Sequence, residues 1–268
     1  MIAESHLQVS QIQEIMMKEL ENVTLFLAQR QSPIFLLGGS LLGLKRHQGF
    51  IPWDDDLDIG LLREDYDYLA ANYQATSKQF KLLTESDSDN VFPYMRLVDT
   101  RTIGISEYYQ QKLGVFIDIF PIDFIDTNEK YLNKYLWQHK LLNVLRNAAR
   151  STGKHDSKAK AVGVKKVIES ILPYGTAHYF AKLEIKHAKC FVSLQNVKAT
   201  LHLGGVLNGM YGKKEFFPQE YWLDYETELF NGVPVQVIKA ADLYLTQMFG
   251  DWETPIKSEN QHAKFYKI

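Results

Sequence analysis

Cysteine is nearly missing from this chain, and so are long apolar runs and any excess of one charge. A single cysteine, Cys190, stands in 268 residues. It excludes an intramolecular disulfide framework and a multi-cysteine zinc site, suits a reducing compartment, and reads as a buried apolar filler. No stretch reaches the roughly 20 apolar residues that span a bilayer; the most apolar segments, around 34–44 and 113–125, are short or interrupted by aspartate. The first twenty residues carry acids and glutamines where a signal peptide needs a basic start and an unbroken apolar core, so export is not expected. With 30 Lys plus Arg against 32 Asp plus Glu, the net charge of −2 offers no global attraction to nucleic acid. The expectation is a cytoplasmic protein, soluble or at most peripheral to the membrane, with no nucleic-acid partner.

What the chain does have is 46% hydrophobic residues, enough for a sizeable core. Residues 6–29 place Leu7, Ile12, Ile15, Met16, Glu19, Leu20, Val23 and Phe26 at helical spacing, with one glutamate on an otherwise apolar stripe. Ile34-Phe35-Leu36-Leu37 reads as a buried strand closed by the turn Gly38-Gly39-Ser40, with a short helix to Leu44. Segment 55–60 reads as a second strand and 62–72 as a helix. Segments 79–84, 94–98, 102–106 and 114–120 read as further strands of one mixed sheet. From 128 the texture turns to long helical patterns, 128–150, 158–172 and 175–192. A hairpin then turns at Asn231-Gly232, and a last helix covers about 239–249. The expected fold class is α+β: residues 1–127 form a sheet core flanked by helices, and 128–268 a mainly helical region that covers it.

The most informative stretch is IPWDDDLDIG at 51–60, where Asp54, Asp55, Asp56 and Asp58 crowd an otherwise apolar segment. Such crowding costs free energy without a cation. Side chains two apart on a strand share a face, so Asp54, Asp56 and Asp58 point one way and Asp55, Leu57 and Ile59 the other. Asp56 and Asp58, about 7 Å apart at Cα, can reach one hard cation such as magnesium or manganese. A solvated acidic turn is the bland alternative for an isolated Asp-x-Asp. Against it stand the glycine turn upstream and a lone Asp118 inside Val115-Phe116-Ile117-Asp118-Ile119-Phe120, where an unpaired buried charge would be very costly. An EF-hand loop fails at its sixth position, Ile59, and at its twelfth, Asp65.

An apolar strand ending in GGS, a spacer, Asp-Leu-Asp-Ile and a later apolar-Asp-apolar strand together resemble the nucleotidyltransferase superfamily that includes DNA polymerase beta. The finer pattern LLGGSLLGLKRHQGFIPWDDDLDIG at 36–60 resembles the LicD family of phosphocholine transferases, to which fukutin-related ribitol-phosphate transferases are also similar. GVFIDIFPID at 114–123 and FNGVPVQVIKAADLYLTQMFGDWETP at 230–255 resemble later blocks of that family. No motif of it falls between 127 and 215, and the family's proline-rich ending is reduced to Glu253-Thr254-Pro255.

The resemblance implies a nucleotidyltransferase-type sheet and transfer of phosphocholine, or a similar alcohol phosphate, from CDP-choline to a sugar hydroxyl. The acceptor it implies is a free or lipid-linked cell-surface glycan of the teichoic acid or lipopolysaccharide type. Gly38, Gly39 and Ser40 would approach the donor phosphates. Mg2+ or Mn2+ would sit on Asp56 and Asp58, with Asp118 as general base or third ligand. Arg46 and Arg96 are candidates for phosphate contact, the alternatives being solvation for Arg46 and an ion pair with an acid such as Asp99 for Arg96. A choline head would need an aromatic cage, for which Trp53 and Tyr94 are the candidates.

Segment 139–166 holds His139, Lys140, Arg146, Arg150, Lys154, His155, Lys158, Lys160, Lys165 and Lys166 against the single acid Asp156. It reads as either a solvated helical face or a docking surface for an anionic lipid-linked precursor at the inner leaflet. A metal-dependent Asp-x-Asp glycosyltransferase is the rival enzyme; a catalytically dead binding module would be expected to have lost one of the three aspartates.

Overall fold

The computed structural model describes residues 6–74, 78–154, 162–173, 175–194, 199–255 and 263–268. In chain order the elements are α1 (Val9–Leu27), β1 (Ile34–Leu36), α2 (Gly38–His47), β2 (Asp58–Leu62), α3 (Arg63–Asn72), β3 (Phe80–Leu83), β4 (Met95–Asp99), β5 (Thr102–Ile105) and β6 (Phe116–Thr127). They continue with α4 (Glu129–Ala149), α5 (Val162–Ile171), α6 (Ala177–Ser193), β7 (Leu201–Gly205), β8 (Phe216–Pro218), α7 (Gln219–Leu223), β9 (Tyr225–Phe230), β10 (Val233–Ile238), α8 (Ala241–Phe249) and β11 (Lys264–Lys267). Among the described residues no helix is long and apolar enough to cross a membrane.

The core is a mixed sheet in the order β3-β4-β6-β2-β1-β10-β9, as the α+β expectation requires, and β7 and β8 extend it from the second half of β6. Two parallel pairings, β2 with β6 and β1 with β10, sit among antiparallel ones. The second half of the chain does more than cover the sheet with helices: it also supplies β7 through β10 to that sheet. Short strands such as Leu201–Gly205, with two glycines and a histidine, lack the β-branched or aromatic alternation that would have marked them. β5 also departs from expectation, since it leaves the main sheet and pairs with β11.

Ile12, Met16, Leu20, Val23 and Leu27 put an unbroken stripe of α1 into the core, each at most 1% exposed. Burying a side chain of this size contributes about 1.5–3 kcal/mol. The hairpin of β9 and β10 turns where the sequence marked it, with Asn231 (φ 47°) and Gly232 (φ 92°) both left-handed, as a type I′ turn demands. Cys190 is exposed, contrary to the reading as filler. On α6 it is Ala181, Glu184 and Ala188 that are buried, and Cys190 lies off that stripe.

Glu19 shares the buried stripe of α1, fully shielded, and among the described residues neither carboxyl oxygen has a partner at normal hydrogen-bond geometry. Burial first, then the charges of Asp99 and Asp118, raises its pKa well above the usual carboxylate range. The fold thus holds Glu19 protonated, and the stability lost by keeping that proton grows as pH rises away from the unfolded-state value. Glu19→Met should stabilise the protein by about 1–3 kcal/mol, or about 2–4 °C in Tm per kcal/mol. Thermal unfolding at pH 8 and pH 5 checks this, with the larger gain expected at pH 8.

Candidate active site

The parallel pairing of β2 with β6 sets Asp58 directly beside Asp118, and the Asp118 N–H donates to the Leu57 carbonyl at 2.9 Å. Neighbouring strands lie about 4.8 Å apart, so the two carboxylates leave the sheet as a pair on one face. The strand begins only at Asp58; residues 54–57 lead into it without regular secondary structure. Alternation holds there nonetheless, since Asp55 and Leu57 are buried at 3% and 0% while Asp56 and Asp58 face a cavity of about 450 Å³. Asp118, Gly38, Tyr94 and Arg96 line the same cavity.

The glycines do not form a separate turn: they are the first residues of α2, which starts at Gly38. Gly38 has φ +48°, a conformation only glycine adopts without strain, and a Cβ there would lie 3.5 Å from Asp58 Oδ2. Its N–H donates to the Tyr244 hydroxyl at 3.0 Å. A Cβ on Gly39 would meet Asp54 Oδ2 at 3.4 Å, so both glycines back onto the aspartates. Ser40 Oγ accepts the Asp58 N–H at 2.8 Å and locks β2 to the helix N-terminus. Gly38 thus faces the cavity, while Ser40 holds Asp58 from behind.

Arg96 of β4 stands opposite Asp118 across the antiparallel β4 and β6 pair and grips it with both arms, Nε to Oδ1 at 2.5 Å and Nη2 to Oδ2 at 3.0 Å. Both residues are buried. Burial disfavours the guanidinium charge, but the charge of Asp118, the neighbouring Tyr94 and the hydrogen bonds to both together outweigh it, and the Arg96 pKa shifts upward. The salt-bridge alternative for Arg96 is the one observed, with Asp118 as partner; the Asp99 carboxylate instead accepts from the Arg101 N–H and from Gln79. Among the described residues, no three His, Cys, Asp or Glu side chains are grouped to hold a metal. Magnesium is commonly held by one or two carboxylates, with waters and substrate phosphates completing its shell, and Asp56 with Asp58 fit that donor set. Removing one partner of a buried pair strands the other, so Arg96→Met should cost about 3–5 kcal/mol. Denaturant unfolding should show most of that loss recovered in the Arg96→Met/Asp118→Asn double variant.

Arg46 is not brought to the cavity; it reaches the Trp252 carbonyl at 2.9 Å and His47 at 3.0 Å, which fastens α2 to the chain beyond α8. Trp53 also stays outside, edge-on to His47, whereas Tyr94 lines the cavity 4.3 Å from the Phe120 ring. The basic segment is not one surface. His139 and Arg146 are buried, and Arg146 and Arg150 line the cavity, leaving Lys140, Lys154 and Lys166 exposed. His155, Lys158 and Lys160 lie outside the described residues. The i, i+4 spacing of Arg146 and Arg150 on a helix was the available signal that they share a face. Glu215 was missed altogether; it lines the cavity, and burial raises its carboxyl to about 7.

Residues 31–147 match the family model described as LicD/FKTN/FKRP, nucleotidyltransferase domain. The chain is 28% identical over 229 residues to the lipopolysaccharide cholinephosphotransferase LicD of Haemophilus influenzae, covering 84% of this chain and 83% of the relative. It is also 39% identical over 101 residues to an uncharacterized protein of Rickettsia typhi, and 49% over 112 residues to one of Rickettsia prowazekii. Those two are covered over 31% and 35% of their own lengths. The matched span contains the glycine-led helix, Asp56, Asp58, Arg96 and Asp118, so these residues all lie in the part of the chain that is similar to the LicD/FKTN/FKRP nucleotidyltransferase domain.

Proposed function

We propose that this protein moves phosphocholine, or a similar alcohol phosphate, from a CDP-linked donor to a sugar hydroxyl of a lipopolysaccharide- or teichoic-acid-type glycan, in a metal-dependent reaction. The observation that carries this reading is the convergence of Gly38 at a helix N-terminus, Asp56, Asp58 and Asp118 on one cavity large enough for a nucleotide fragment. The similarity to a lipopolysaccharide cholinephosphotransferase supplies the donor head and acceptor class.

Asp56 and Asp58 would hold Mg2+ or Mn2+, which supplies neutralisation of the donor phosphates and of charge developing on the leaving group. The start of α2 adds its positive dipole end to the same wall. An acceptor hydroxyl oxygen forms the new bond to the distal phosphorus as the bond to the CMP oxygen breaks, and CMP leaves with that electron pair. The hydroxyl proton passes to a carboxylate. Asp118 is assigned that role: Arg96 takes one lone pair on each of its oxygens, and a second lone pair on either oxygen is left to accept the proton. Tyr94 and Phe120 offer aromatic faces in the cavity for a quaternary ammonium head.

The test is release of CMP from CDP-choline by purified protein, with and without magnesium or manganese, in the presence of an N-acetylhexosamine-containing glycan. Metal-dependent CMP release with phosphocholine on the glycan is expected. Asp58→Asn should lower it by about a hundredfold or more, since several kcal/mol of charge stabilisation are lost at nearly constant volume. Intact CDP-choline alongside consumption of a sugar nucleotide, with a nucleoside diphosphate as product, would instead indicate a glycosyltransferase.

A further inference from the structure

Three arginines gather around one aromatic ring in the cavity wall. The guanidinium carbons of Arg96, Arg150 and Arg146 lie 3.4, 4.3 and 5.6 Å from the Phe92 ring centre. Two of them are matched by acids: Arg96 by Asp118, and Arg146 by Glu184, with Nε to Oε1 at 2.7 Å. Arg150 is not. It lies over the Tyr109 ring at 3.8 Å and has no carboxylate partner among the described residues, and its Nε, shielded from solvent, has no hydrogen-bond partner. Burial, and then the neighbouring Arg146 charge, lowers its pKa to about 9. A cation driven that far from its ordinary value gains most from an incoming anion, because the same low-dielectric wall that penalises it alone strengthens any oxyanion it meets.

We propose that Arg150, backed by Arg146 and Arg96 around Phe92, is an anion subsite of this cavity that grips a phosphoryl group with its unused guanidinium donors. A planar guanidinium stacked on aromatic rings has its edge free for the two-pronged recognition that phosphate oxygens favour. Arg150 follows the last residue of α4, and its carbonyl accepts the Gln110 N–H at 3.0 Å, which pins the base of the side chain. Asp56 and Asp58 line the same cavity as Arg150, so it offers carboxylates for a cation and guanidinium donors for an anion. That the anion is a phosphoryl group rests on the phosphotransfer reading above. It is supplied by the donor diphosphate or by a phosphate on the acceptor glycan.

The experiment titrates inorganic pyrophosphate into the full-length protein at low salt in EDTA, which removes the divalent cation. Wild type should bind, Arg150→Met should bind about tenfold more weakly or worse, and Arg150→Lys should fall between. Asp58→Asn should bind at least as tightly as wild type, since a negative charge lining the same cavity is removed. The melting temperature of Arg150→Met should equal or exceed that of wild type, since an unmatched buried cation is gone. A merely structural arginine would lower it. Pyrophosphate affinity unchanged in Arg150→Met, or no binding by wild type, overturns the subsite. Steady-state rates then assign the source: a raised KM for CDP-choline marks the donor phosphate, and a raised KM for the glycan alone marks an acceptor phosphate. If no CDP-choline is turned over but Arg150→Met still loses pyrophosphate, the phosphocholine reading fails and the anion subsite stands.

Discussion

The parallel pairing of β2 with β6 is the constraint on which the rest of the site depends. It brings two aspartates sixty residues apart in sequence into direct register, Asp58 against Asp118. Two carboxylates side by side on one face of a sheet repel each other. The fold meets that cost on both flanks, with the bidentate grip of Arg96 on Asp118 from β4 and the N-terminal end of α2 beside Asp58. Ser40 completes the arrangement by accepting the Asp58 N–H. None of these contacts would hold in another register, because a slip of either strand by one residue would turn its aspartate to the opposite face.

The cavity in front of this pair holds both signs of charge: Asp56, Asp58 and the start of α2 line it together with arginines stacked on Phe92 and Tyr109. Arg146 and Arg150 are supplied by the end of α4, which packs on α6 through the Arg146 pair with Glu184 and through Tyr135 stacked on His187 and Phe191. The loop after β7 closes over the top, where the Asn208 amide donates to the Pro93 carbonyl and the Tyr135 hydroxyl to the Leu207 carbonyl. The segment without a recognisable motif, 127–215, thus lines much of the space where substrates would lie. A scaffold of this kind keeps its carboxylates on rigid strands and leaves the rest of the lining to helices and loops that vary more readily.

Much of the chain was legible where its signals are local. The stripe of α1, the glycines that open α2, the alternating aspartates and the Asn231-Gly232 turn each follow from residue spacing or from the conformational freedom of one residue type. The errors share a cause as well. β7, β8 and β11 are short and irregular in composition, and they are strands because a neighbouring edge needs their hydrogen bonds. The basic segment looked like one surface because charges were counted along the chain, while the helix turns every third or fourth one inward. Arg46 sat near the right motif but on the face of α2 that meets Trp252.

Spacing alone determined that Asp56 and Asp58 share a face, that Asp118 needs a partner, and that Gly38 marks a tight backbone approach. These follow from the two-residue period of extended chain and from the cost of burying a lone charge. Tertiary structure decided which partner Asp118 takes, which arginines enter the cavity, and that strands of the second half complete the sheet begun by the first. Those outcomes depend on contacts between residues tens to hundreds of positions apart, and the periodicity of a single segment carries no record of them.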